Sequence, residues 1–249
     1  VRGFVPIFKR ELFALFVTPL AWVLLALFLV VQGIHFFLIA THFASDGAAA
    51  ADGGPVRAFF GQTILLYLPL LFICPLLTMR TFAEERRSGT IEALLTAPID
   101  TAAVVLAKWA ATVTTYLAMW APTVLYLVLA SKGGGDIDWR IVGTSYLGIT
   151  LVGMGYLAIG TMASAFTKSQ LLAAVLAGSI LIAFFMLGVG EFIVHEGAAH
   201  DLCAHVSVWT LMGEFSQGLV DSRRVVFTSS LVVVPLFVTV RTVDSWRWG

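Results

Sequence analysis

Six apolar runs, each about as long as a bilayer is thick, leave this chain few ways to fold. They cover about residues 20–40, 59–78, 107–130, 143–166, 171–193 and 225–241. A helix needs roughly 20 apolar residues to cross the hydrocarbon layer. The expectation is therefore an all-α membrane protein with six transmembrane helices in a single domain spanning residues 1–249. Composition agrees: 59% of residues are hydrophobic and 12% are charged, where soluble domains carry about 25% charged. Four prolines, Pro69, Pro75, Pro122 and Pro235, fall inside the runs, where neighbouring helices can satisfy the carbonyls they free.

Residues 4–18 precede the first run and place Val5, Phe8, Leu12, Leu15 and Phe16 at helical spacing, with Lys9, Arg10 and Glu11 elsewhere on the surface. This predicts an amphipathic helix in the interface plane, with Pro19 at the corner into the first span. The apolar run that follows is too long for a signal-peptide core and reads as an uncleaved anchor. Lys108, near the start of the third run, is expected to snorkel to the interface. With the N-terminus inside, Arg2, Lys9, Arg10, Arg80, Arg86, Arg87, Lys108, Lys168, Arg241 and Arg247 lie on the inner side. Arg57, Lys132, Arg140, Arg223 and Arg224 lie outside. This excess predicts both termini in the cytoplasm.

The connections differ in character. Residues 41–58 are rich in Ala and Gly and predict a loose outer segment, and 131–142 predict a turn around Gly133–Asp136. Thr167–Gln170 makes a tight inner hairpin between the fourth and fifth spans. In the fourth span Gly148, Gly153, Gly155, Gly160 and Ser164 are small residues that let helices approach closely, and packing is their expected role. Residues 194–224 form the longest outer segment. Val206, Trp209, Met212, Phe215 and Leu219 predict a helix on, or dipping into, the outer leaflet.

Between the second and third runs sits a stretch of opposite character, FAEERRSGTIEALLTAPI at 82–99. Arg80, Glu84, Glu85, Arg86, Arg87, Glu92 and Asp100 put seven of the chain's 30 formal charges (15 basic and 15 acidic) into residues 80–100. Charges at the bilayer centre cost several kcal/mol each, so this stretch belongs in water at a membrane face. Ser88–Gly89–Thr90 breaks the preceding helix. Ile91, Leu94 and Leu95 then recur at i, i+3, i+4 on one helical face, with Glu92 in the first turn and Pro98 as a stop. A helix of about eight residues is unstable alone and needs a surface, either the bundle's own base or a partner. Glu84 and Glu85 beside Arg86 and Arg87 are placed to pair among themselves.

This stretch resembles the loop between spans two and three in permeases of type 2 ABC exporters, and within them the gliding-motility and nitrous-oxide-reductase-maturation group. PIFKRELFALFVTPLAWVLLALF, YLGITLVGMGYLAIGTMASAFTKSQ, GEFSQGLVDSRRVVF and RTVDSWRW resemble other parts of the same family, so the likeness touches nearly the whole chain except 41–58 and 195–204. The resemblance implies a multi-pass permease of the inner (plasma) membrane. It also implies a coupling helix on which a separate ABC ATPase docks, carrying ATP and Mg²⁺, and a second permease subunit, identical or paralogous. Residue by residue, it assigns ATPase coupling to Phe82, Glu84, Glu85, Arg86, Arg87, Ser88, Gly89, Thr90, Glu92, Leu94, Leu95 and Pro98.

The chain's own chemistry is sparse. A P-loop needs Gly-Lys before Ser or Thr, yet Lys9, Lys108, Lys132 and Lys168 follow Phe, Ala, Ser and Thr, so no cofactor site of that kind is present in this chain. No Gly-x-Ser-x-Gly elbow occurs. Ion-coupled carriers place acids or histidines inside their spans. Here His35 lies in the outer half of the first span and Glu191 near the outer end of the fifth, the one candidate for a substrate pathway. His195, Glu196, His200, Cys203 and His205 do not form H-E-x-x-H and read as a solvated outer segment, with no metal expected. Cys74 and Cys203 are not placed as a disulfide pair. A formal net charge of zero and the lack of a basic cluster argue against a nucleic-acid partner. An ion-coupled carrier or channel, an enzyme built on the outer histidines, and a membrane anchor within a larger envelope machine remain as rivals to the exporter reading.

Overall fold

The computed structural model describes residues 3–45, 54–61, 63–91, 99–132, 137–194 and 196–246. Those residues are helical throughout apart from short connections. Among the described residues, six helical stretches are long and apolar enough to cross a membrane: Pro19–Phe43, Ile64–Ser88, Thr101–Lys132, Trp139–Phe166, Gln170–Phe192 and Ser222–Ser245.

Helix α1 (Phe4–Val17) is separate from α2 (Pro19–Ser45). Thr18 between them is extended, and Pro19 opens the next helix, a position where its missing N–H is no loss. Only Ile7 of α1 is buried, while Phe13 and Val17 face outward. Helix α3 (Gly54–Gly61) is short, and α4 (Ile64–Thr78) starts the second span. The apolar run at 59–78 is therefore not one helix. Thr63 is extended, and Phe59 and Phe60 belong to α3. The outer segment 41–58 is likewise not loose at its ends, since α2 runs on to Ser45 and α3 begins at Gly54.

A short helix, α5 (Ala83–Ser88), follows the second span. The third span is α6 (Thr101–Trp120), a 3-10 turn at Ala121–Thr123 around Pro122, and α7 (Val124–Lys132). It begins six residues before the apolar run does, because the Asp100 side chain accepts a hydrogen bond from the Ala102 N–H and caps the helix. The same device sets the next boundary. Asp138 accepts from the Arg140 N–H at 2.8 Å and starts α8 (Trp139–Phe166) inside what composition marked as a turn, whose Gly133–Asp136 centre lies outside the described residues. Helix α9 (Gln170–Val189) is capped by Ser169, and α12 (Ser222–Ser245) by Asp221. The span-six helix is accordingly longer than 225–241.

Helix α8 is the axis. Of its apolar window 72% is buried, against 22% for the first and last spans, and it packs on α4, α6, α9 and α12. Its small residues mark the contacts: Gly148 sits against Phe215 and Met212, Gly153 against the Tyr116 ring, Gly155 against Leu231 and Gly160 against Thr78. Without Cβ atoms there, the helices close to van der Waals distance. At the end of the bundle away from α5, residues 198–215 form two helices, α10 (Ala198–Val206) and α11 (Val208–Phe215), that turn at Ser207. Met212 and Phe215 dip into the bundle and are fully buried, whereas Leu219 is exposed. Arg224 is buried there: it bonds both Glu214 oxygens at 3.1 and 3.2 Å, and the Ala204 and His205 carbonyls at 2.8 Å.

Candidate functional site

The loop after the second span is built on α8 and not on solvent. The Ser164 hydroxyl, near the end of α8, accepts the N–H groups of Phe82 and Ala83 at 3.1 Å each and donates to the Met79 carbonyl at 3.1 Å. That one side chain satisfies the turn between α4 and α5. Phe82 is fully buried, edge-on to Trp246 at 6.1 Å. Arg86 donates to the Ala165 carbonyl at 2.8 Å, one of the last acceptors of α8 that no helical N–H reaches. Its guanidinium also lies 4.4 Å from the Trp246 ring centroid, within cation–π range.

Helix α5 itself has Glu84 and Glu85 in its first turn and Arg86 and Arg87 in its last, the order that suits the helix dipole. It stops at Gly89, whose φ of 76° is left-handed, a termination that glycine adopts without strain. Thr90 and Ile91 return to helix, and Ile91 is buried in a cluster with Ile7, Phe82 and Val104. Glu92, Leu94, Leu95 and Pro98, expected to complete the coupling helix, lie outside the described residues.

The charges do not pair along the helix as the sequence suggested. Arg80 takes Glu84, with Nε to Oε2 at 2.7 Å. Glu85 turns inward. Its Oε1 lies 3.0 Å from the Lys108 ammonium of α6 and 2.8 Å from the Arg10 guanidinium of α1. Glu11 of α1 makes the matching pair of contacts, 3.0 Å to Lys108 and 2.8 Å to Arg10. Two carboxylates and two cations from three helices thus meet at one point. Lys108 is 1% exposed, so it does not snorkel outward. It is neutralised where it stands, because a buried unpaired charge is far costlier than a buried pair. Burial raises the pKa of Glu11, but the nearby Lys108 and the hydrogen bond from Arg10 outweigh it, and the net shift is downward. The Arg10 pKa is raised, chiefly by its hydrogen bond to Glu11.

The residues named from the sequence therefore divide. Phe82, Glu85 and Arg86 fix the loop to the bundle. Glu84, Arg87, Ser88, Gly89 and Thr90 form its outward face, with the Ser88 and Thr90 hydroxyls 2.9 Å apart. A cavity of about 360 Å³ opens between α1, α5 and α6, and the charged node lines it. Arg10, Glu11, Ser164 and Trp246 carry the arrangement but are not in the loop's sequence. For Glu11 alone the sequence holds a signal, since Lys108 is a lone cation in an apolar helix, but its place near the start of the apolar run predicts snorkelling to the interface instead.

At the far end Glu191 is half-buried after α9 and accepts a hydrogen bond from the Thr210 hydroxyl at 2.5 Å. His35 is buried, stacked on Phe59 at 4.8 Å with Nδ1 3.3 Å from the Gln32 amide oxygen. His195 lies outside the described residues. The other outer candidates turn to separate neighbours: His200 Nδ1 to the Val194 carbonyl at 2.8 Å, His205 to the Phe227 ring at 5.0 Å, and Cys203 into a buried position beside Gly190.

The family model described as ABC-2 family transporter protein matches residues 5–202. The matched region takes in α1, the charged node, the loop and the first five spans. No curated protein gives a significant match to the chain.

Proposed function

The chain belongs to the ABC-2 family of transporter proteins, a membrane permease component of an ABC transporter, and on that premise we propose that it couples ATP hydrolysis by a separate subunit to export. The observation that carries the coupling is the loop's two-sided build. One side is bolted to α8, α1 and α6 through Ser164, Arg86 and Glu85. The other presents Glu84, Arg87, Ser88, Gly89 and Thr90 outward, next to the segment holding Glu92, Leu94, Leu95 and Pro98. A partner pushing on that face moves three helices and not a free loop. ATP and Mg²⁺ belong to that ATPase.

A second permease subunit, identical or related, completes the proposal. The middle of a single copy is filled by Phe28, Tyr67, Tyr116, Leu157 and Thr161, each at most 2% exposed, so a solute path lies between copies. Glu191 is the acidic candidate at the far end of that path. The inner (plasma) membrane, loop side in the cytoplasm, is the location that fits an ATP-consuming partner. The gliding-motility and nitrous-oxide-reductase-maturation kinship is the narrower family assignment we favour, on the loop sequence at 82–99.

The test is purification of the tagged protein from its native cells in mild detergent, with co-purifying polypeptides identified. An ATPase is expected with the full chain and is expected to be lost when Arg87→Glu and Thr90→Asp are combined, both on the outward face. Absence of any ATPase from folded full-length protein, or its unchanged recovery with the double variant, overturns the docking assignment.

A further inference from the structure

A second, apolar slot lies one turn further along α6 from the charged cavity. Lys108, Thr112, Thr115 and Met119 recur at helical spacing on α6, each one turn from the next. The first two line the charged cavity and the last two line the slot, which has a volume of about 100 Å³ and is closed on the other side by Phe16, Ala21 and Trp22. Trp22 is 57% exposed and donates its indole N–H to the Phe16 carbonyl at 2.8 Å. That is the posture of an interfacial tryptophan, which marks the boundary between headgroups and acyl chains.

The chemistry of the larger cavity points to an ion pair as its occupant. Its lining carries Arg10, Arg80 and Lys108 against Glu11, Glu84 and Glu85, three charges of each sign. A net anion would leave carboxylates facing it, and a net cation would leave the three basic groups. The node also has unused capacity. The Lys108 ammonium contacts Glu11 and Glu85 without hydrogen-bond geometry to either, and Glu85 Oε2 has no donor. Arg10 is the movable member, with a side chain 56% exposed that bridges both acids.

We propose that this paired cavity and slot bind a membrane lipid with a phosphoethanolamine headgroup, taken from the leaflet in which α1 lies. Arg10 swings onto the lipid phosphate, and the lipid's primary ammonium takes its place between Glu11 and Glu85. The exchange conserves charge and replaces each hydrogen bond it breaks. One acyl chain enters the slot past Trp22. A trimethylated choline headgroup cannot donate to Glu85, and a glycerol headgroup brings a phosphate without a cation, so the site discriminates among common lipids. The proposal holds whatever energises transport.

The experiment uses the full-length protein in mild detergent with palmitoyl-oleoyl phosphatidylethanolamine, phosphatidylcholine and phosphatidylglycerol at equal concentrations. Retained lipid is counted by native mass spectrometry. Phosphatidylethanolamine is expected at about tenfold higher occupancy, the effect of one charge-assisted hydrogen bond. Ala118→Leu fills the slot and Ala14→Leu narrows the charged cavity; each is expected to reduce its occupancy to that of the choline lipid. Chainless glycerophosphoethanolamine is expected not to displace it. Equal retention of the three lipids overturns the site. So does retention unchanged in both variants, or displacement by the chainless headgroup.

Discussion

At the scale of single residues, Lys108 decides how the loop end of the bundle is held. Exposed ion pairs contribute about 0–1 kcal/mol, but removing one member of a buried pair costs roughly 3–5 kcal/mol. Lys108→Met leaves Glu11 and Glu85 sharing Arg10 alone, so a loss of about that size is expected, read as a large drop in unfolding temperature in detergent. The pH response follows from Glu11. Its pKa is lowered below the usual value of 4.5, so its pairing stabilises the fold fully above that value. The contribution fades as pH falls through the lowered folded-state pKa. The protection factors for amide exchange across residues 4–17, which remove the intrinsic pH dependence of exchange, are expected to hold from neutrality down to the usual carboxylate range and to fall as the pH drops below it. Of this node the sequence showed only Lys108, with snorkelling outward as the expectation. A lysine in an apolar helix demands an acid, but Glu11 and Glu85 are 97 and 23 residues away. Which one serves depends on α1 folding back across α6.

At the scale of elements, the spans were legible because unbroken apolarity over roughly 20 residues matches the thickness of a bilayer and little else. Their ends were less so. Apolarity does not distinguish Phe59 and Phe60, buried on the short α3, from the span that follows, and the caps at Asp100 and Asp138 lie beyond the apolar runs they start. Span four shows the opposite case, in which spacing of small residues foretold the contacts. Gly160→Ala places a methyl group on the Thr78 hydroxyl, and two backbones must part to admit it. A loss of about 1–3 kcal/mol is expected. Gly178→Ala on α9 meets no atom within 4 Å and is expected to leave the unfolding temperature unchanged or slightly raised. Thermal unfolding of the two variants side by side checks this, and equal effects would refute the view that α8 is the tightly packed axis.

At the scale of the whole molecule, the distribution of charge and packing argues about what moves solutes. Lys108, Glu85, Glu11 and Arg10 collect at the loop end, and Arg224 and Glu214 at the other. Between them the described core is largely aromatic and aliphatic, with Phe28 edge-on to Trp120 at 5.0 Å and the Tyr116 hydroxyl spent on the Ile149 carbonyl at 3.0 Å. The buried hydroxyls of Thr78, Thr112, Thr115, Ser145 and Thr161 are spent on carbonyls of their own helices. An ion crossing such a core has no ladder of polar groups to replace its hydration, and each charge at the centre is opposed by several kcal/mol. On the proposed reading, such a permease conducts only when its ATPase partner changes its shape. Proteoliposomes holding the chain alone are therefore expected to show no Na⁺, K⁺ or proton flux above empty vesicles, under either an imposed gradient or a membrane potential. Flux without an ATPase would make the protein an ion-coupled carrier or channel. Silence alone, followed by ATP-dependent export once the co-purified ATPase is added back and by its loss in the combined Arg87→Glu and Thr90→Asp variant, would locate the power stroke at the outward face of α5.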